Sequence, residues 1–95
     1  MTTEYRHGDK HVYRHIAGEH LLIALHRDSV APMFAFTPTA AALWQQLAQW
    51  ATTDGLVAHL VGQFEVSREQ AALDVEEFLE QLGAIGALES RAPVA

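Results

Sequence analysis

The chain contains no cysteine. That excludes disulfides, thiolate nucleophiles and cysteine-based zinc or iron–sulfur sites, and it suits a reducing, cytoplasmic setting. Basic residues are scarce: six Lys and Arg stand against twelve Asp and Glu, a formal net charge of −6. Phosphate backbones and anionic lipid surfaces repel a chain of that sign, so neither nucleic acid nor membrane is an expected partner. No apolar run approaches the ~20 residues that span a bilayer. Residues 1–10 lack the apolar core of a secretory signal and read as a flexible N-terminus. Catalytic signatures are missing as well: there is no nucleophile elbow, glycine-rich phosphate loop or HExxH.

What is present is one domain's worth of ordinary globular sequence. The chain has 95 residues, 49% hydrophobic and 19% charged. Its charge is divided. Residues 1–28 balance four basic against four acidic side chains and hold five of the six His. Residues 29–95 carry eight acids against Arg68 and Arg91, and hence the whole −6. Such a division predicts two regions of different structure.

The first region reads as a hairpin. Residues 11–26 favour strands, and Gly18-Glu19 fits a two-residue turn because glycine accepts positive φ. That turn pairs Val12 with Leu25 and His11 with His26. One face then carries Val12, Arg14, Ile16, Leu21, Ile23 and Leu25 and is the expected core face; the His-rich face is expected to meet solvent. After Pro32, Met33-Phe34-Ala35-Phe36 reads as a short third strand with both Phe inward. Thr37 then caps a helix that starts at Pro38.

Three helices follow. The first is expected over residues 38–51, with Ala40, Leu43, Trp44 and Leu47 at helical spacing. Thr53 caps the second, whose stripe is Leu56, Val57, Leu60, Val61 and Phe64. Ser67 and Gln70 open the third, whose inner stripe is Ala71, Val75, Phe78 and Leu82. Gly86 is the stop, and residues 89–95 read as a flexible tail. The fold class is α+β and winged-helix-like: a three-stranded antiparallel sheet followed by a three-helix bundle.

Each candidate chemistry has a plainer counterpart. His11, His15 and His26 share a hairpin face and could grip a transition metal, but no third ligand type lies on that face, so a solvated surface is expected and no metal is assigned. Glu76, Glu77 and Glu80 read as a solvated helix face rather than an acid–base pair. Trp44 and Trp50 read as core and rim. A winged-helix DNA regulator is the alternative function, with the third helix reading the groove. That helix carries Arg68 against Glu69, Asp74, Glu76, Glu77 and Glu80, which phosphates would repel. No enzyme and no cofactor are expected. The remaining feature is the far side of the third strand, an edge open to another chain's strand.

Three segments carry a resemblance: RHIAGEHLLIAL, MFAFTPTAAALWQQL and LVAHLVGQFEVSREQAALDVEEFLEQLGAIGAL. In this order and spacing they resemble the PqqD-like family, the recognition elements for ribosomally synthesised, post-translationally modified peptides (RiPPs). The resemblance covers residues 12–88 and departs at Thr37-Pro38, where relatives commonly have Asn followed by an acid. It implies a peptide chaperone over residues 11–88. Such a domain binds the leader of a precursor peptide as a strand added beside the third strand and the third helix. It then presents the precursor to a modifying enzyme, often a radical SAM enzyme. On that reading Met33, Phe34, Ala35 and Phe36 supply the main-chain ladder. Ala72, Leu73, Glu76, Leu79 and Glu80 supply selectivity, with basic leader residues near Glu76 and Glu80.

Overall fold

A computed structural model describes residues 2–25 and 33–92. The order of elements is β1 (Glu4–His7), β2 (His11–Ile16), β3 (Glu19–Ala24), β4 (Met33–Phe36), α1 (Pro38–Gln46), β5 (Ala51–Thr52), α2 (Thr53–Gln63), α3 (Arg68–Ala84) and β6 (Leu88–Arg91). The expected three-stranded antiparallel sheet is present, in the order β2-β3-β4, and so are the three helices. A second sheet, β5-β1-β6, joins the two ends of the described chain.

The hairpin turn differs from the expectation. Its central residues are Ala17 and Gly18, with φ of 51° and 81°, so Ile16 faces Glu19 and Val12 faces Ile23. Positive φ at both positions is the primed turn whose twist matches the two strands. The register moves by two residues, so the same side chains share a face. The buried face, however, is the opposite one. Leu22 is fully buried, His11 is buried and Tyr13 packs on the core, while Ile16 and Leu25 are 52% and 62% exposed. The third strand decides this orientation. Phe34 and Phe36 lie opposite Leu22 and His20, and Phe36 meets Trp44 and Phe78 beneath the sheet. Polar groups on the inner face find partners: the Tyr13 hydroxyl and His20 Nδ1 share a 2.6 Å hydrogen bond, and His15 stacks on His20. His26 lies outside the described residues.

The helices follow their apolar spacing. Leu43, Trp44 and Leu47 from α1 and its cap, Leu56, Val57 and Leu60 from α2, and Ala71, Val75, Phe78 and Leu82 from α3 form one buried cluster with Leu22 and Ala87. Each helix starts at a hydroxyl cap. The Ala40 N–H donates to Thr37 Oγ1, the Gly55 N–H to Thr52 Oγ1 and the Gln70 N–H to Ser67 Oγ. Thr52, not Thr53, therefore caps α2. Helix α1 ends at Gln46 rather than 51, because Ala51 and Thr52 pair with Tyr5 and Glu4 as β5.

Residues 4–7 and 89–91, expected to lie in flexible ends, belong to strands β1 and β6. Glu4 faces Arg91 and Arg6 faces Glu89 across the β1–β6 ladder, and both pairs form ion pairs of 2.8 Å. Both guanidiniums lie over the Trp50 ring, 4.5 and 4.3 Å from its centre. The His7 N–H donates to Leu47 O and the Gly8 N–H to Ala87 O, which tie β1 to the helical layer. His7 also stacks on Trp44 at 4.3 Å. Strands β1 and β6 each have four residues and a single core-facing hydrophobic, Tyr5 or Leu88, too short a pattern to signal a strand by periodicity.

Candidate functional site

Strand β4 stands at the edge of its sheet; among the described residues nothing pairs with its outer side. Hydrogen bonding alternates along an antiparallel strand. A two-residue turn makes Ile16 and Glu19 a bonded pair, so Glu19, Leu21 and Ile23 bond towards β2. The Leu25 N–H continues the series by donating to Lys10 O at 2.8 Å. His20 and Leu22 therefore bond to Phe36 and Phe34, their partners in β4. The N–H and C=O groups of Met33 and Ala35 are left facing the open edge.

Beside that edge lies an open cleft of about 500 Å3. Phe36, Leu43 and Phe78 give it apolar surface; Thr37, Thr39 and Ala40 form one side and Asp74, Glu77 and Gln81 the other. The Phe36 and Phe78 rings meet edge to face at 5.5 Å and hold β4 against α3. Gln70 Nε2 donates to Asp74 Oδ1 at 2.9 Å and orients that carboxylate. A cleft with apolar and carboxylate lining beside a free main-chain edge suits an extended peptide with apolar and basic side chains.

The sequence-predicted residues divide. Met33, Phe34, Ala35 and Phe36 form the edge strand; Met33 and Ala35 are exposed, Phe34 and Phe36 half-buried. None of Ala72, Leu73, Glu76, Leu79 and Glu80 lines the cleft. Helix geometry sets Ala72, Glu76 and Leu79 in one row and Leu73, Glu77 and Glu80 in another. Only the second row contains a cleft residue. Leu79 is half-buried against the core on the other flank. Asp74, Glu77 and Gln81 were missed because both flanks of the inner stripe are equivalent in periodicity. A signal did exist: the flank with apolar Leu79 is the one packing covers, whereas the flank with Asp74 and Gln81 stays open.

Among the described residues no group of three or more His, Cys, Asp or Glu converges as a metal site. His11 is buried rather than on a solvated face. No described helix is long and apolar enough to cross a membrane.

The chain is thus a small α+β domain whose edge strand borders a helix-walled cleft. The sequence agrees. Residues 19–88 match the family described as coenzyme PQQ synthesis protein D (PqqD), and the chain belongs to that family. No curated protein sequence matches it. Two solved structures share its fold. TbiB1 in complex with the TbiA(beta) leader peptide superposes with a TM-score of 0.74 at 23% identity, covering 93% of this chain and 99% of TbiB1. Lasso peptide synthetase B1 complexed with the leader peptide gives 0.73 at 18% identity, covering 90% of this chain and 96% of the synthetase chain.

Proposed function

We propose that the chain binds the leader segment of a ribosomally synthesised precursor peptide and presents the precursor to a modifying enzyme. The observation that carries this reading is the free edge of β4 beside the cleft against α3. Both structural neighbours were solved with a leader peptide. The leader adds antiparallel or parallel to β4, bonding to the main chain of Met33 and Ala35. Its side chains that face inward enter the cleft lined by Phe36, Leu43 and Phe78 and meet Asp74, Glu77 and Gln81. Leu73 and Glu80, in the row beside Glu77, extend the contact outward; Ala72, Glu76 and Leu79 lie on the other flank.

The chain acts by binding rather than by turnover, in the cytoplasm, with a radical SAM enzyme as one class of recipient. Its unit is the fold from β1 to β6. The acidic surface of α3 favours a peptide over the alternative of a DNA groove. An NMR titration with the precursor's leader tests the reading. Amides of residues 33–36 and 74–81 should shift. Shifts confined to the β2–β3 turn and α2, with those residues still, would sink it.

A further inference from the structure

His15 on β2 and His20 on β3 stand directly opposite each other. Ile16 and Glu19, next to the turn, are a bonded pair, so His15 and His20 are a non-bonded one, in which cross-strand side chains lie closest. Their rings are stacked, with 4.4 Å between centres and planes 12° from parallel. Neither imidazole is sealed in the core: His15 is exposed and His20 half-buried.

The His20 ring is already oriented. Its Nδ1 lies 2.6 Å from the hydroxyl of Tyr13, which shares the inner face of β2 with His15. Its Nε2 has no hydrogen-bond partner among the described residues and is not enclosed, so it reaches solvent. One ring nitrogen held by a neighbouring group, with the other left open, is the arrangement of a histidine that ligates a metal. When Nδ1–H donates to the Tyr13 oxygen, the lone pair lies on Nε2. Late first-row cations bind imidazole nitrogen at about 2.0–2.1 Å, so two ligating nitrogens stand roughly 3 Å apart. Small rotations about the side-chain bonds bring two stacked rings to that spacing.

We propose that His15 and His20 form a two-histidine site for a divalent late transition metal, with Tyr13 as its positioning residue and water in the remaining coordination positions. The donors select the cation. Imidazole suits Cu2+, Ni2+ and Zn2+, whereas Mg2+ and Ca2+ take oxygen ligands. Cu2+ binds most tightly, following the stability order at nitrogen sites. A bound ion clips β2 to β3 beside the turn. Neither histidine lines the cleft against α3, so the site is separate from the proposed leader groove and does not depend on it.

Calorimetric titrations of the full, untagged chain with ZnCl2 and CuCl2 test this, with MgCl2 as the control. His15→Gln and His20→Gln should each lower Zn2+ affinity at least tenfold. Tyr13→Phe, which keeps the ring and removes the hydroxyl, should lower it severalfold. His59→Gln, on α2, should leave it within about twofold. Zn2+ should raise the melting temperature of the parent chain, because the ion binds the native hairpin, and should not raise that of His15→Gln. Electron paramagnetic resonance of the Cu2+-loaded chain should show coupling to two imidazole nitrogens, reduced to one in either single variant. Amide spectra check folding; His15 is exposed, so His15→Gln decides alone if His20→Gln does not fold. Zn2+ affinity unchanged in His15→Gln overturns the proposal and moves any binding to other histidines. So does a parent chain that takes up neither Zn2+ nor Cu2+, or that binds Mg2+ equally well.

Discussion

Phe36 meets Phe78 edge to face, their ring centres 5.5 Å apart, and this contact joins the strand that offers a free edge to the helix that walls the cleft. Edge-to-face pairs contribute about 0.5–1.5 kcal/mol beyond the area they bury. Phe78 is 4% exposed. Phe78→Ala should therefore destabilise the fold by about 3–5 kcal/mol. A double-mutant cycle with Phe36→Ala, followed by urea denaturation, should return a coupling of about 1 kcal/mol. Full additivity would mean that the ring contact does not hold β4 in place.

Proline scanning of β4 should give an alternating pattern. At Ala35 the missing N–H comes from the open edge, so Ala35→Pro should weaken leader binding by about 1 kcal/mol or more while the sheet stays formed. At Phe34 the missing N–H comes from the bond to Leu22, so Phe34→Pro should destabilise the domain itself. Calorimetry against the leader and thermal melts separate the two. The reverse pattern would place the free edge on the wrong residues.

Asp74 and Glu77 should set the charge preference of the cleft. Asp74→Lys and Glu77→Lys should each weaken a leader carrying basic residues, by several-fold at low salt and less at high salt. Glu76→Lys, on the other flank, should change little. Equal losses at Glu76 and Glu77 would restore the row that periodicity alone suggested.

The tight turn offers a stabilising substitution. Ala17 sits at φ 51° beside Gly18 at 81°. A left-handed conformation costs an L-residue with a Cβ roughly 1–2 kcal/mol, and asparagine tolerates it better than alanine. Ala17→Asn should raise the melting temperature by a few degrees, corresponding to about 1 kcal/mol. Gly18→Ala should lower it. Opposite signs in the melts would mean that another turn forms in solution.

The second sheet should respond more to Trp50 than to either ion pair. Each pair is substantially solvated, with side chains 33–49% exposed, and pairs of that kind contribute about 0–1 kcal/mol. Trp50 holds both guanidiniums at once. Trp50→Ala should thus cost more than Arg6→Ala or Arg91→Ala in denaturant titrations.

The helices were legible because burial imposes a 3.6-residue period, and Ala71, Val75, Phe78 and Leu82 obey it. Caps at Thr37 and Ser67 were equally plain. The hairpin's strands were legible but its buried face was not. Val12, Ile16, Ile23 and Leu25 outnumber Leu22 as apolar residues, yet β4 and the helices select the side of Leu22, and no local pattern encodes that choice. Residues 4–7 and 89–91 were not legible because their strands are short and their pairing joins distant parts of the sequence. That Met33–Phe36 is an edge strand could be read from sequence. Which flank of α3 faces it depended on packing against α2.

The Glu4–Arg91 contact joins residues 87 positions apart, and Arg6–Glu89 spans 83. Contacts of such separation slow folding, since the chain loses loop entropy before they form. Strand β1 is the middle of its sheet, with β5 on one side and β6 on the other. During synthesis it emerges before both of its neighbours, yet it gains the second only when residues 88–91 have been released. The β2–β3–β4 sheet needs no such wait, because its strands are near neighbours in sequence. The free edge can therefore assemble while the chain is still growing, whereas closure of the other sheet waits for the strand at residues 88–91.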